Sequence, residues 1–229
     1  MLLAAGLGTR LKDLTKDRPK ALVEYRGKTL IEIVLRRLIH HGFRDVIINV
    51  HHHPEQIIDF IQSKKNFGIN IRFSDESDLL LDTGGGIKNA SCYFAGDHVL
   101  IHNVDVYTDL NLEELYHYHI SSNNLATLAV KSRNSTRPFL KDGDQILCGW
   151  ENLITGERII TRNGANLEKI AYSCVAVLSP SFIQMLPEKK VFPLVPEILR
   201  ISEKHEVKLF PHSGVWRDMG KPESYVSEQ

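Results

Sequence analysis

Short apolar runs alternate with amphipathic segments through the first 130 residues of the chain. Short runs bounded by polar residues or glycines predict buried strands, and apolar positions that recur every three or four residues predict helices. We predict strands at residues 1–5, 45–50, 69–73, 98–102 and 126–130. We predict helices beginning at Leu30, Pro54, Gly84 and Leu112.

Two of these helices carry recognisable start signals. Thr29 precedes the first helix and Glu32 follows three residues later, which is the capping-box pattern, and Asn111 with Glu114 opens the helix at 112–121 in a similar way. The regular alternation predicts the α/β class, as a Rossmann-like, mostly parallel sheet with helices on both faces. Ligands of such sheets bind at the carboxyl ends of the strands.

The alternation weakens after residue 130, and the pattern there favours antiparallel strands. A turn at 142–144 precedes an apolar run at 145–150, and residues 155–157 have the composition of a hairpin tip. Further strands are predicted at 171–178 and at 207–210, the latter as the last strand of the chain. We therefore expect a small antiparallel extension that folds over or prolongs the sheet.

The first predicted strand leads into a glycine-rich turn, Gly6-Leu7-Gly8-Thr9-Arg10, and Lys20 follows ten residues later. Glycines allow bare backbone N–H groups to approach a phosphate chain closely, and arginine and lysine supply a planar and a point-like cation. We therefore predict that the turn holds a nucleoside triphosphate by its phosphates. The alternative is a tight surface turn without a ligand.

Two better-known phosphate motifs do not fit this chain. A dinucleotide-binding Gly-x-Gly-x-x-Gly would need glycine at Leu11. The segment Gly27-Lys28-Thr29 has the end of a P-loop, but that motif would need glycine at Leu22.

Composition excludes several classes of protein. The 28 basic residues equal the 28 acidic ones, so no overall field attracts nucleic acid or an anionic membrane. No apolar run approaches the roughly 18 residues of a membrane span, and the start of the chain lacks a signal-peptide pattern. Cys92, Cys148 and Cys174 are widely spaced, which favours reduced thiols and a cytoplasmic protein. The sequence indicates no particular oligomeric state.

Two acidic residues lie where a hard cation is expected. Asp105 ends the segment Asn103-Val104-Asp105, directly after a predicted strand, where a carboxylate on a rigid element suits magnesium. Asp218 precedes Gly220 and Pro222, and by itself this pattern favours a helix cap over a ligand.

Two further segments are candidates for ligand contact. Asp82-Thr83-Gly84-Gly85-Gly86 places glycines at a helix start, which would leave N–H groups free and admit a flat or anionic group; a flexible loop is the alternative. The triplet His51-His52-His53 follows a strand. Successive strand positions point to opposite faces, so a polar lining role is favoured over a shared metal.

Five segments, in this order, resemble the motifs of the sugar-phosphate nucleotidyltransferases, also called nucleoside-diphosphate-sugar pyrophosphorylases. They are residues 3–11, 18–23, 82–87, 103–105 and 216–223. The similarity runs over essentially the whole chain. It is greatest to the short bacterial branch that includes N-acetylmuramate 1-phosphate uridylyltransferase and mannose-1-phosphate guanylyltransferase. The resemblance implies magnesium-dependent transfer of a nucleoside monophosphate from a triphosphate to a sugar 1-phosphate, with release of pyrophosphate.

The resemblance also implies roles for individual residues. Asp105 and Asp218 would be magnesium ligands, Arg10 would stabilise the departing pyrophosphate, and Lys20 would lie between the α-phosphate and the sugar phosphate. Asn103 would reach the ribose or the sugar. The turn after the first strand would bind the nucleotide through Leu3, Ala4, Ala5, Gly6, Gly8 and Thr9. The base pocket, with uridine favoured, would be lined by Glu76, Thr83, Gly84 and Gly85.

The resemblance implies a single domain over residues 1–229, with a nucleotide-binding half at 1–130 and a sugar-binding half at 131–229. The antiparallel extension would then lie over the sugar site. The chain departs from the family pattern at Val104, at Cys174, where many relatives have glycine, and in lacking a Glu-Lys-Pro sugar-phosphate element. The rival hypothesis is a non-catalytic nucleotide- or sugar-phosphate-binding regulatory homologue. Retention of Arg10, Lys20 and both aspartates favours the enzyme.

Overall fold

The computed structural model describes residues 1–164 and 166–226. Within them, strands and helices alternate along the chain as in an α/β protein. The strands are β1 Leu2–Leu3, β2 Glu24–Tyr25, β3 Lys28–Thr29, β4 Asp45–Val50, β5 Asn70–Asp75, β6 Val99–Asn103, β7 Val106–Thr108, β8 Ala126–Lys131, β9 Phe139–Lys141, β10 Leu147–Glu151, β11 Arg158–Ile160, β12 Glu168–Leu178, β13 Lys208–Pro211 and β14 Trp216–Asp218. The α-helices are α1 Leu30–His40, α2 Pro54–Ser63, α3 Asp82–Asn89, α4 Leu112–Ser121, α5 Pro180–Gln184, α6 Leu194–Ser202 and α7 Glu223–Val226.

One large sheet organises the described residues. Its main path runs β11-β10-β9-β12-β6-β1-β4-β5, and β8 and β13 continue from β12 beside this path. The strands β5, β4, β1 and β6 are parallel to one another, whereas β12 is antiparallel to β6, β8 and β9. The antiparallel strands β9, β10 and β11 prolong the sheet beyond β12. This topology confirms the predicted fold class.

Helices cover both faces of the sheet, and apolar residues of strands and helices pack together on each face. In β1, Leu2 packs in one hydrophobic cluster and Leu3 in the other, because successive strand side chains point to opposite faces. Helices α1, α2 and α4 contribute buried residues to the cluster that contains Leu2, whereas α3, α5 and α6 contribute to the cluster that contains Leu3. No helix in the described part of the chain is both long and apolar enough to cross a membrane.

The strand register brings the carboxyl ends of three strands to one level. Leu3 pairs with Asn49 of β4 on one side and with Asn103 of β6 on the other. The chain then leaves β1 into the turn at residues 4–8, and leaves β6 toward Asp105. The parallel sheet therefore delivers the glycine-rich turn and the first candidate metal ligand to the same edge.

Several predicted boundaries differ from the structure. The strand predicted as the last, at 207–210, is followed by β14, which pairs antiparallel with β7. Both are three residues long, too short to show alternation in the sequence. Helix α3 begins at Asp82 rather than Gly84 and passes into a 3₁₀ helix at Ala90–Tyr93. Helix α6 was not predicted at all.

The segment that resembled the end of a P-loop forms a β-hairpin. Strands β2 and β3 pair antiparallel, and the two residues between them, Arg26 and Gly27, both have positive φ. This is the backbone of a two-residue hairpin turn whose twist matches that of the flanking strands. The structure therefore confirms that this segment is not a phosphate loop.

Candidate active site

The glycine-rich turn packs against Lys20. Gly8 has φ +66°, and a Cβ atom there would lie 3.0 Å from both Lys20 Cβ and Thr15 Cγ2, so this position requires glycine. A Cβ atom on Gly6 would lie 3.4 Å from Lys20 Nζ. Gly6 and Arg10 are exposed. The turn is thus an open rim with an ammonium group directly beneath it.

Lys20 forms an ion pair with Asp105. Its Nζ lies 2.7 Å from Asp105 Oδ2, and the two side chains are only 13% and 10% exposed. A pair so shielded from water interacts more strongly than a surface pair. Lys20, at the start of the 3₁₀ helix Lys20–Leu22, and the carboxylate that follows β6 therefore neutralise each other.

Strand β14 carries Asp218 to the same place. Asp218 pairs with Val106 across the two-stranded ladder, and Met219 N donates a hydrogen bond to the Asp105 carbonyl at 2.8 Å. A Cβ atom built on Gly220 would lie 2.8 Å from Asp105 Oδ2 and 2.9 Å from Asp218 Oδ1. Two oxygens that close to one point are separated by no more than twice that distance. The final loop therefore folds back over the carboxyl edge of the sheet.

Asp218 also has a local structural role. Its Oδ1 accepts a hydrogen bond from Gly220 N at 2.9 Å within its own turn. Helix α7 begins only at Glu223, so this bond does not cap the helix. Asp218 Oδ2 lies 3.4 Å from Arg10 Nη1, so the other oxygen faces the rim of the turn. The carboxylate therefore stabilises its own loop and faces Asp105 at the same time.

A cavity of about 430 Å³ opens at the ends of the parallel strands. This volume lies within the usual range for small-molecule sites. Of the predicted site residues, the following line it: Leu3, Ala5, Gly6, Lys20, Glu76, Thr83, Asn103 and Asp105.

A buried network fixes the wall of this cavity. Glu76 is 3% exposed, and its carboxylate accepts hydrogen bonds from Asn49 Nδ2 at 2.7 Å and from Leu81 N at 3.1 Å. Asn49 Oδ1 in turn accepts from Ala4 N at 2.7 Å. Burial raises the pKa of Glu76, an effect that these donors oppose. The N–H of Ala4 is therefore engaged within the protein, which differs from its predicted role in binding the nucleotide.

Sequence analysis missed Asn49, which lies inside a strand of otherwise apolar residues. A polar residue inside an apolar strand is a signal that could have singled it out, but its partner Glu76 is not evident from the sequence. The histidine triplet lies next to this network: His51 Nδ1 is 2.7 Å from the Glu76 carbonyl. None of the three histidines lines the cavity beside Asp105.

The glycines of α3 serve a different purpose from the predicted one. The N–H groups of Gly84 and Gly85 both donate to the Phe192 carbonyl at 3.0 Å, so they are not free. A Cβ atom would lie 2.5 Å from the Phe192 ring at Gly84 and 2.1 Å from the Lys190 carbonyl oxygen at Gly85. Neither glycine lines the cavity. The glycines admit residues 190–192 of the chain itself, and this close packing corrects the expectation of an open anion site.

The pairing of β12, the strand next to β6, is irregular near the site. The register between β12 and β8 shifts between Tyr172 and Ala176, and Cys174 within this bulge has φ +56°. Burial raises the pKa of the Cys174 thiol to about 12, and Asp105 and Asp218 act in the same direction. Cys174 therefore lies within electrostatic reach of both carboxylates.

The sheet can be divided at Asp105 into two sides. We call β5, β4, β1 and β6 with their loops the parallel side, and β12, β8 and β14 with their loops the bulged side.

Comparison with known proteins identifies the family. Residues 1–139 match the model of the family described as nucleotidyl transferase, so the chain belongs to the nucleotidyl transferase family. An N-acetylmuramate alpha-1-phosphate uridylyltransferase of Neisseria meningitidis serogroup B is 30% identical over 226 residues, which cover 96% of this chain and 92% of that protein. The resemblance predicted from the sequence is confirmed.

Two further comparisons extend this result. An N-acetylmuramate alpha-1-phosphate uridylyltransferase of Caulobacter vibrioides is 42% identical over 107 residues, which cover 46% of this chain and 44% of that protein. The match thus spans less than half the length of that relative. The structure of HddC from Yersinia pseudotuberculosis complexed with GMP-PN has a TM-score of 0.77 and 23% identity, covering 98% of this chain and 95% of that one. It shows the same fold.

Proposed function

We propose that this protein transfers a nucleoside monophosphate from a nucleoside triphosphate to a sugar 1-phosphate and releases pyrophosphate. The observation that carries the proposal is the convergence of two carboxylates, Asp105 and Asp218, with two cations, Lys20 and Arg10, beside a cavity at the carboxyl edge of the sheet. The family and the names of the relatives support the same reaction class.

The chemistry needs positioning and charge rather than a base. An oxygen of the sugar phosphate attacks the α-phosphorus, a bond forms between them, and the bond from the α-phosphorus to the bridging oxygen of pyrophosphate breaks. The attacking group is already an anion, so no proton has to be removed. The barrier lies in bringing two anions into line, which fixed cations lower. Lys20 would hold the α-phosphate and the incoming phosphate together, and Arg10 would offset the charge on the departing pyrophosphate.

The residues present fit a magnesium ion. Two carboxylates from separate segments face one space, and magnesium is commonly held by one or two carboxylates with substrate phosphates completing its coordination. A bound magnesium ion would supply positive charge to the phosphates. Asp105 and Asp218 would hold it, and Lys20 would then exchange Asp105 for a phosphate as its partner.

The cavity on the parallel side would take the nucleotide. Glu76 and Thr83 would line the base, Asn103 would face the ribose or sugar, and Gly6 with its neighbours Gly8 and Thr9 would meet the phosphates. Residues 1–130 would form the nucleotide-binding half and residues 131–229 the sugar-binding half of one domain. Asp218 is then the contribution of the second half to the metal.

A pyrophosphate-release assay tests the proposal. A panel of UTP, GTP, CTP and dTTP is crossed with N-acetylmuramate 1-phosphate, mannose 1-phosphate and other sugar 1-phosphates. We expect release only when both substrates are present, with UTP first among the nucleotides. Release that does not depend on the sugar phosphate, or silence over the whole panel, would favour the non-catalytic homologue.

Metal removal tests the carboxylate pair separately. Activity is expected to disappear with EDTA and to return fully with magnesium alone. Recovery with a transition metal but not with magnesium would contradict the assignment, because two carboxylates and phosphate oxygens are hard ligands.

A further inference from the structure

The bulged side carries an arginine that the proposed mechanism does not use. Arg133 follows β8, and its Nη2 donates a hydrogen bond to the Tyr172 carbonyl at 2.8 Å. Its guanidinium carbon lies 3.6 Å from the centre of the Trp216 ring, a distance of direct stacking. Trp216 is itself fixed, because its Nε1 donates to the Ser173 carbonyl at 2.9 Å. The guanidinium is therefore held flat between β12 and β14.

Arg133 lies on the same side of the molecule as Asp218. Trp216 and Asp218 are two residues apart in β14, so their side chains leave the same face of that strand. Burial lowers the pKa of Arg133, and Cys174 and Asp218 oppose this shift, which places Arg133 within electrostatic reach of both. Strand β8 is antiparallel to β12, as β6 is, so Arg133 and Asp105 follow strands that end at the same edge.

The guanidinium retains capacity to bind an anion. Each terminal nitrogen carries two N–H groups, and the described residues give each of them one acceptor: the Asn134 carbonyl at 3.3 Å for Nη1 and the Tyr172 carbonyl for Nη2. Each therefore keeps one donor, whereas Nε is buried and has no acceptor among the described residues. No carboxylate pairs with Arg133 among the ion pairs of the described chain. Lys131, two residues earlier, is instead engaged by the carbonyls of Ser213 and Gly214, each at 2.6 Å.

The cavity on the parallel side leaves one direction for the acceptor. It is lined by residues of β1, β4 and β6, of the segments that follow β1, β5 and β6, of the start of α3, and by Val191. Neither Arg133 nor Cys174 borders it. With the nucleotide in this cavity, as proposed, a second anion that meets the α-phosphate near Lys20 and Asp105 would approach from the other flank of β6, where β12, β14 and Arg133 lie.

We propose that Arg133, stacked on Trp216, binds the phosphate of the sugar 1-phosphate and orients it toward the α-phosphorus. This inference rests on the proposed function. Arginine suits the role because its planar fork binds phosphate in two places and stacking costs it no donor.

Equilibrium binding and steady-state kinetics test Arg133 together. The variants are Arg133→Ala and Arg133→Lys, with Arg137→Ala as the control, because Arg137 is an exposed arginine of the same loop. For Arg133→Ala we expect the Kd and KM of the sugar 1-phosphate to rise by about tenfold or more, the scale of a lost hydrogen-bonded charge. The KM of the nucleotide should stay within about twofold, since Arg133 lies outside its cavity.

A purely structural role would give a different pattern. If Arg133 only ties β12 to β14, the KM of both substrates and the melting temperature should change together in both variants. The proposal expects Arg133→Lys to recover part of the affinity for the sugar phosphate without recovering the melting temperature, because lysine keeps the charge but loses the stack. It is overturned if affinity follows the melting temperature, or if Arg137→Ala weakens binding as much as Arg133→Ala.

The two proposals fail separately. Binding of the panel's sugar 1-phosphates is measured by titration in the presence of magnesium and a non-hydrolysable nucleoside triphosphate. Active wild-type protein with unchanged binding in Arg133→Ala would overturn this inference and leave the proposed function. If no substrate pair of the panel releases pyrophosphate but sugar 1-phosphate binding depends on Arg133, the proposed function is overturned and this inference remains. Wild-type protein that binds none of the sugar phosphates would overturn the inference directly.

Discussion

The parallel side and the bulged side meet at Asp105 but are built differently. On the parallel side, the wall of the cavity is fixed by buried groups that satisfy one another, from Ala4 N through Asn49 to Glu76. On the bulged side, Cys174 has a left-handed backbone and Arg133 has a buried donor without an acceptor among the described residues. The cavity wall on the parallel side is therefore closed by hydrogen bonds between buried groups, whereas the bulge beside Asp105 leaves a guanidinium nitrogen without an acceptor among the described residues.

The largest expected effect is at the point where the two sides meet. Asp105→Asn and Asp218→Asn should each lower kcat by at least about 100-fold, because each removes negative charge that would hold the metal. The double variant should be little worse than either single one, since groups that act as a unit are not additive. Pyrophosphate release measures this effect, with circular dichroism to show that the variants are folded.

Asp97→Asn is the matched control for these variants. Asp97 is exposed and precedes β6, at the opposite end of the strand from Asp105, so its loss should leave kcat unchanged. Near-normal turnover in Asp218→Asn, or fully multiplicative losses in the double variant, would mean that Asp218 only stabilises its own turn.

Replacing two glycines of the parallel side should affect different properties, stability for Gly85 and nucleotide binding for Gly6. Gly85→Ala places a Cβ atom 2.1 Å from the Lys190 carbonyl, and such overpacking costs about 1–3 kcal/mol, or a fall of roughly 2–12 °C in Tm. Gly6→Ala meets only the flexible end of Lys20, so Tm should hold while the KM of the nucleotide rises. Thermal unfolding and kinetics on both variants separate these outcomes. The distinction fails if Gly85→Ala weakens nucleotide binding without lowering Tm.

Acid should destabilise the fold through histidines that are buried without charge. His119 of α4 is fully buried beside Thr127 of β8, and burial lowers its pKa to about 4. The unfolded chain binds the proton first as pH falls from about 6.5, so the stability that this histidine contributes is present above that pH and is lost progressively toward pH 4.

The change His119→Gln should therefore make the acid side of the stability curve shallower, by up to about 1.4 kcal/mol per pH unit. Urea unfolding between pH 4.5 and 7.5 measures how steeply the free energy of unfolding changes with pH. The upper limit lies about one unit above the pKa of histidine in the unfolded chain. His117→Gln, an exposed position on the same helix, is the control and should leave the slope as it is. Equal slopes in wild type and His119→Gln would contradict the burial argument.

The smallest expected effect concerns the bulge itself. Cys174 has φ +56°, a conformation that costs a non-glycine residue roughly 1 kcal/mol. Cys174→Gly should relieve this strain, whereas Cys174→Ala keeps the Cβ atom and loses only the thiol. We expect the glycine variant to be more stable than the alanine variant by thermal unfolding. A less stable glycine variant would show that the bulge does not strain the chain.

Local patterns in the sequence were sufficient for most of the fold. The strand Asp45–Val50 and the helix Leu112–Ser121 lie where they were predicted. The caps are also present, since Thr29 Oγ1 accepts from Glu32 N and Asn111 Oδ1 accepts from Glu114 N. Periodicity and capping depend on neighbours within one or two turns, which is why the sequence alone could predict them.

The candidate site was harder to predict from the sequence than the fold, because its contacts join segments that are distant along the chain. Nothing near Asn49 indicates its bond to Glu76, and nothing near Gly84 indicates that Phe192 fills the space beside it. The ladder between β7 and β14 brings together residues more than a hundred positions apart, through strands of three residues. Motif resemblance supplied Asp218, and geometry supplied the reason that it lies beside Asp105.

The backbone bond from Met219 N to the Asp105 carbonyl has a consequence for synthesis of the protein on the ribosome. The strands of the parallel side and all residues that line the cavity, the latest being Val191, precede β14, and Asp218 comes more than a hundred residues after Asp105. A nascent chain can thus form the cavity while it still lacks half of the carboxylate pair. Under the proposed mechanism, nucleotide binding would precede catalytic competence in the life of each molecule.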